Sequence, residues 1–344
     1  MITPSFGLTA TERVLPRLAL DFTTAILDPR VAVTRALNTA TRINSAGLVE
    51  PVNANVARFD YNPVSKICNG LLIEETRANA FVYSEEFNQA SWSRINLTVT
   101  PNDAVAPDGN TTADKWIPNN GATSCWMWQS PLTLGTWTQS IFAKAAGFNV
   151  LQMNLFSTQD GDRLAQFDLI NGTIVTTSAG VTATIRDFGN GWYRCSMTYT
   201  MTGLTNHAAQ PIRLPSGTGD GVKGFYVWGA QVEAGAFATS YIPTTTTSLT
   251  RNADVVSMTG TNFSDWYNVG AGTWFIQTNA RNASAVLTAG SFTLTANATA
   301  LKKYAGTYST DQSATSLVLG DGTVTNVSYY KQALIAAEIA AITA

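Results

Sequence analysis

Between residues 81 and 247 the chain runs in short segments of alternating apolar and polar residues, broken by turn-forming residues. Alternation with period two is the mark of a half-buried strand, and breaks about every eight to twelve residues are the spacing of an antiparallel sandwich. The pattern predicts strands over 137–144, 150–157, 163–169, 182–187, 192–200 and 224–233. Asp160-Gly161, Asn171-Gly172 and Asn190-Gly191 stand between them, pairs that tolerate the positive φ of tight hairpins.

The two ends read differently. Residues 1–80 alternate only over 31–35 and around 70–74, and turns at Asp28-Pro29, Ser45-Ala46-Gly47, Asn62-Pro63 and Asn69-Gly70 interrupt them. This predicts an extended N-terminal arm with a few short strands, which buries no core of its own and packs on a neighbour. A threonine run after Pro243 marks a linker. Beyond it, strands are expected over 273–278, 285–288, 291–296, 315–319 and 323–330. Leu334, Ile335, Ile339 and Ile342 then fall near helical spacing among alanines, which predicts a terminal helix of about three turns docked on the preceding sheet. The fold class is all-β, in three parts: 1–80, 81–247 and 251–344.

Composition narrows the function. Only 13% of residues are charged, against about 25% in an average chain. Thr, Ser, Asn and Gly take their place, as suits pleated, half-exposed surfaces. A net charge of −2 supplies no basic patch for a phosphate backbone, so nucleic acid is not an expected partner. Cys68, Cys125 and Cys195 form no CxxC pair, and three buried free thiols are expected. The first ten residues lack the basic start and apolar run of an export signal. No stretch approaches the ~20 apolar residues of a membrane span, so membrane insertion is not expected. No cofactor is expected.

The residues of the middle part carry a resemblance. Phe81-Val82-Tyr83-Ser84-Glu85-Glu86-Phe87-Asn88-Gln89-Ala90-Ser91-Trp92, followed by Ala106-Pro107-Asp108-Gly109-Asn110-Thr111-Thr112-Ala113-Asp114-Lys115, resembles the opening of a jelly-roll module found in tailed-phage virion proteins. Later landmarks follow in order: Ser140-Ile141-Phe142-Ala143-Lys144, Gly189-Asn190-Gly191-Trp192-Tyr193-Arg194-Cys195-Ser196, Trp228-Gly229-Ala230-Gln231-Val232-Glu233-Ala234-Gly235 and Ala238-Thr239-Ser240-Tyr241-Ile242-Pro243-Thr244. Such modules are similar to carbohydrate-binding modules. Upstream, Val33-Thr34-Arg35-Ala36, Arg58-Phe59-Asp60-Tyr61 and Gly70-Leu71-Leu72-Ile73-Glu74-Glu75 look like the arm that precedes this module. Residues 324–344 resemble the closing segment of concanavalin-like, laminin-G-type sandwiches. Residues 251–344 are too few for a full sandwich of that type, so a reduced domain, or one completed by a neighbouring chain, is expected.

The resemblance implies a phage virion structural protein: a tail fibre, a head spike or fibre, or a capsid decoration. It would be made in the host bacterial cytoplasm and located in the virion. The implied partners are other virion proteins, reached through the N-terminal arm, two further copies in a homotrimer, and host-surface polysaccharide. The alternative function is a polysaccharide depolymerase spike.

Catalytic chemistry has little material. His207 is the one histidine, and no nucleophile elbow accompanies it. The doublets Glu74-Glu75 and Glu85-Glu86 are the candidate acid pairs of a depolymerase, but neighbours on a strand point to opposite faces. No catalytic residue is assigned. Asp160, Asp162 and Asp220 lie in glycine-containing loops of a kind that can hold calcium, without EF-hand spacing, and no metal site is assigned.

Nine tryptophans are the richer resource, because flat aromatic faces stack on sugar rings. Trp126 and Trp128, two apart, share one strand face, with Gln129 and Asn119 or Asn120 as nearby hydrogen-bonding groups. They form a glycan platform if that face is exposed and part of the core if it is not. Trp137, Trp192 and Trp228 lie within strand landmarks and read as core.

Overall fold

The computed structural model describes residues 15–37, 39–279, 284–296, 302–310 and 312–344; residues 1–10, on which the reading of an absent export signal rests, lie outside them. Among the described residues no helix is long and apolar enough to cross a membrane.

The middle part is a β-sandwich of two six-stranded antiparallel sheets. Sheet I runs Thr182–Gly189, Trp192–Met201, Gly135–Ala146, Gly224–Ala234, Ala113–Pro118 and Leu97–Ala104. Sheet II runs Thr173–Thr177, Gly161–Asp168, Val150–Ser157, Ala208–Arg213, Trp126–Gln129 and Ser93–Ile95. Strands far apart in sequence lie side by side in both, as a jelly roll requires. The alternation seen in the sequence decides which residues face inward. Ile141, Cys195, Met153, Leu155, Phe167, Met127 and Ile212 fill the space between the sheets. Asn190 (φ 53°) and Gly191 (φ 79°) turn Thr182–Gly189 into Trp192–Met201, using the left-handed backbone expected of that pair.

Residues 18–73 do not form a separate arm. Leu18–Asp21 pairs with Gly322–Tyr330, placing Leu18 opposite Tyr329 and Leu20 opposite Val327. Cys68–Ile73 pairs with the other end of that strand, and Ala32–Thr34 pairs with Val255–Thr259. The result is a second sandwich, with sheets of six and five strands among the described residues. Four of those strands come from residues 18–73 and the rest from 255–330. Its core joins Leu18, Leu20, Phe22, Val33, Leu71 and Ile73 to Val256, Trp274, Ile276, Leu287, Val327 and Tyr329. The jelly roll is therefore inserted into this domain, and the expected boundaries 1–80 and 251–344 enclose two halves of one unit. Among the described residues, the strands that join 255–330 in its two sheets are the chain's own, from residues 18–73. Each N-terminal strand is only three to six residues long, too short to reveal which strand it pairs with. Its partner lies up to some three hundred residues away.

The chain enters and leaves the jelly roll through a two-stranded ribbon of Arg77–Asn79 and Leu249–Arg251. A buried charge cluster clamps this crossing. Arg58 bonds Glu74 (2.8 Å) and Asp254, Arg35 bonds Asp254 (2.7 Å), and Arg251 bonds Glu74 (3.0 Å). Ser240 adds its backbone N–H (2.8 Å) and hydroxyl (2.6 Å) to Glu74, tying the jelly roll's last turn to the same carboxylate. A hairpin of Ala40–Ile43 and Val49–Val52 lies on the outer face of sheet I, where Ile43 and Val49 cover Phe142, Trp192 and Trp228. The C-terminal helix spans Ala336–Thr343, about two turns rather than three, and packs beside Lys302–Tyr308 at the edge of the second sandwich.

Candidate functional site

Seven of the nine tryptophans are buried: Trp92, Trp116, Trp137, Trp192, Trp228, Trp266 and Trp274. Trp137 lies between the jelly-roll sheets, as expected of a core residue, while Trp192 and Trp228 are buried outside them, under the hairpin. The two half-exposed ones are Trp126 and Trp128.

Their strand explains this. Met127 lies opposite Ile212, and both are fully buried in the jelly-roll core, so the period of two turns Trp126 and Trp128 to the outer face of sheet II. Trp126 lies opposite Arg213 on one side and Ile95 on the other, and Trp128 opposite Ser93. Trp126, Trp128, Ile95 and Arg213, with Phe156, Asp162 and Gln210, line an open groove of about 550 Å³. The Arg213 guanidinium sits 5.3 Å from the centroid of the Trp126 ring, a cation–π distance. Its Nη1 also bonds Asp162 Oδ2 at 3.0 Å, and Asn154 Nδ2 donates to Asp162 Oδ1 at 2.7 Å. The groove thus combines aromatic faces with a hydrogen-bonded polar set held by neighbouring strands.

Gln129 does not join it. The same period of two turns it to the face opposite Trp126 and Trp128, and its amide pairs with the Val82 backbone, accepting from the N–H (3.1 Å) and donating to the carbonyl (2.8 Å). Asn119 and Asn120 lie in an exposed turn outside the groove lining. Ser130, two residues after Trp128, also lines it, while Asp162, Gln210 and Arg213 come from two other strands and no local spacing connects those three to the tryptophans.

His207 stands at the groove's rim with Nδ1 2.8 Å from the Leu204 carbonyl and Nε2 3.1 Å from that of Ser130. Both nitrogens face backbone carbonyls, which places the ring between the Leu204 loop and Ser130. Glu74 and Glu75 belong to the crossing, where Glu75 bonds Arg77. Glu85 accepts from the Tyr241 hydroxyl (2.9 Å) and Glu86 from Gln89 (2.6 Å). Burial raises the Glu85 carboxyl above its usual range, the Tyr241 hydrogen bond opposing that only in part.

The loop aspartates are also engaged. Burial works to raise Asp160, but hydrogen bonds from Thr202, Ser157 and Gly203 outweigh it and hold the carboxyl at about 2. Asp220 caps the N–H groups of Val222 (2.9 Å) and Lys223 (2.7 Å). Cys125 and Cys195 are buried free thiols, whereas Cys68 is half-buried.

No family model matches the chain. No curated protein matches it either. Among solved structures, it is similar to the CBM22-1–GH10 modules of the N-terminal endo-1,4-beta-D-xylanase 10B of Clostridium thermocellum, complexed with xylohexaose. The identity is 12%, the TM-score 0.29, and the match covers 48% of this chain and 30% of that one. A likeness this low carries no functional weight.

Proposed function

We propose that this chain is a non-catalytic structural protein of a phage virion that binds host-surface glycans through the groove on sheet II. One observation carries the binding half: of nine tryptophans, the two left half-exposed lie side by side on one strand face, next to Arg213 and Asp162. Stacking rings flanked by hydrogen-bonding groups are what a saccharide site needs. The virion setting rests on the ordered jelly-roll landmarks of the sequence. With the second sandwich completed within one chain, contacts to other virion proteins are assigned to folded surfaces rather than a free arm. The homotrimer rests on the phage resemblance alone.

A glycan array of bacterial surface polysaccharides tests the binding site. Wild type should bind, and Trp126→Ala with Trp128→Ala should weaken binding at least tenfold while the jelly roll stays folded. Binding unchanged by both substitutions removes the groove from consideration. A reducing-end assay on the bound polysaccharide should yield no new ends; their appearance would favour a depolymerase. Imaging of labelled particles places the protein on head or tail, and light scattering at micromolar concentration reads the trimer.

A further inference from the structure

The groove on sheet II is lined by one guanidinium, Arg213, and one carboxylate, Asp162, and the two are bonded to each other at 3.0 Å. Both members of the pair are held in place. Asn154 is fully buried and donates from Nδ2 to Asp162 Oδ1 at 2.7 Å, which fixes the carboxylate beside its partner. The Trp126 ring, 5.3 Å away, holds the guanidinium. A ligand bearing a charge of either sign therefore finds the attraction of one group opposed by the repulsion of the other, and the loss of its own hydration is not offset. A hydroxyl is served better. The guanidinium has more N–H donors, and the carboxylate more lone pairs, than their mutual bond and the one from Asn154 use. A sugar hydroxyl both donates and accepts, so it can bond either group or bridge the two.

The two tryptophans are not equivalent. Trp126 stands between Arg213 on one neighbouring strand and Ile95 on the other, and its ring is engaged by the guanidinium. Trp128 lies opposite Ser93, a small side chain. Among the described residues no cation or aromatic ring stacks on it. Its ring is the one whose face is left to a ligand.

We propose that the groove is selective for uncharged sugars, that Trp128 is the ring on which a sugar stacks, and that Trp126 is a positioning residue that holds the Arg213–Asp162 pair against the sugar's hydroxyls. This rests on the glycan-binding reading of the groove. An array of glucose, galactose and mannose tetrasaccharides, each beside its uronic-acid counterpart, tests it with the full chain at pH 8. Neutral ligands should bind at least fivefold more tightly than their acidic counterparts. Asp162→Asn keeps an acceptor for Asn154 but leaves Arg213 without its carboxylate, and should reverse that order. Trp128→Ala should weaken neutral binding at least tenfold, and Trp126→Ala only about threefold. Both rings are half-exposed on the outer face of the sheet, so neither change opens the core. Acidic sugars bound as tightly as neutral ones by wild type, or an order unchanged in Asp162→Asn, overturn the selectivity while the groove remains a glycan site. Equal losses in the two tryptophan variants, or full affinity in Trp128→Ala, overturn the division between the rings. Binding to no member of the array overturns the glycan reading and this proposal together.

Discussion

The two sandwiches are built from the same kind of strand, yet their chains are laid out in opposite ways. The jelly roll closes within one continuous stretch, 93–234, and its core residues recur every few positions along it. The second sandwich closes only when residues 18–73 meet 255–330, so its core is assembled from the two ends of the chain. Long loops cost conformational entropy only slowly as they lengthen, and an inserted domain that holds its own ends together shortens the effective loop further. The ribbon of Arg77–Asn79 and Leu249–Arg251 does this, and the buried charges around Glu74 and Asp254 lock it. A split domain is thus as well formed as a continuous one, but it depends on every part of the chain.

The largest test of that dependence is deletion of residues 1–73. It removes four strands of the second sandwich and should abolish that domain's calorimetric transition while the jelly roll's survives. Two surviving transitions would mean that the N-terminal strands are dispensable. Next is the clamp. Arg58→Ala leaves Glu74 and Asp254 buried without their shared partner, and should cost about 3–5 kcal/mol by chemical denaturation. A loss confined to one transition would show that the crossing does not couple the domains.

Asp160→Ala acts inside the jelly roll alone. It strips the acceptor from Ser157, Tyr199, Thr202 and Gly203 and should cost about 2 kcal/mol at neutral pH. Because the folded carboxyl titrates near 2, below its unfolded value, the stabilisation is full above about pH 4 and fades as pH falls toward 2. Wild type and variant should converge there.

Asp114 gives the smallest effect and the opposite sign. Burial pushes its carboxyl up to about 6, against backbone hydrogen bonds from Asn102 and Phe87 that lower it. The folded state therefore binds this proton more tightly than the unfolded chain. Its contribution is full below about pH 4 and is lost as pH rises through 6. Asp114→Asn should flatten the melting temperature between pH 4 and 7. An unchanged slope would discard Asp114 as its source.

The jelly roll was legible because its strands are long enough for period two to show; 150–157 is read from the sequence with the same bounds as Val150–Ser157. Strands of three to six residues, such as Ala32–Thr34, carry too few positions to declare a partner. The candidate site was half legible for the same reason. That Trp126 and Trp128 share a face follows from their spacing. Cys125 and Met127 are apolar too, so local pattern does not say which face is the core. Gln129 follows Trp128 directly, so the period that gives the two tryptophans one face puts this residue on the other, where it bonds the Val82 backbone.

What the sequence determined by itself is therefore local: the strand character of the middle part, its Asn-Gly turns, and the common face of the two tryptophans. These follow from backbone geometry within a few residues. The tertiary structure alone decided the pairing of the chain's ends into one sandwich, the exposure of Trp126 and Trp128, and the meeting of Arg213 with Asp162. Each depends on which surface buries against which. That is a balance of packing over the whole chain, and no short stretch of residues encodes it.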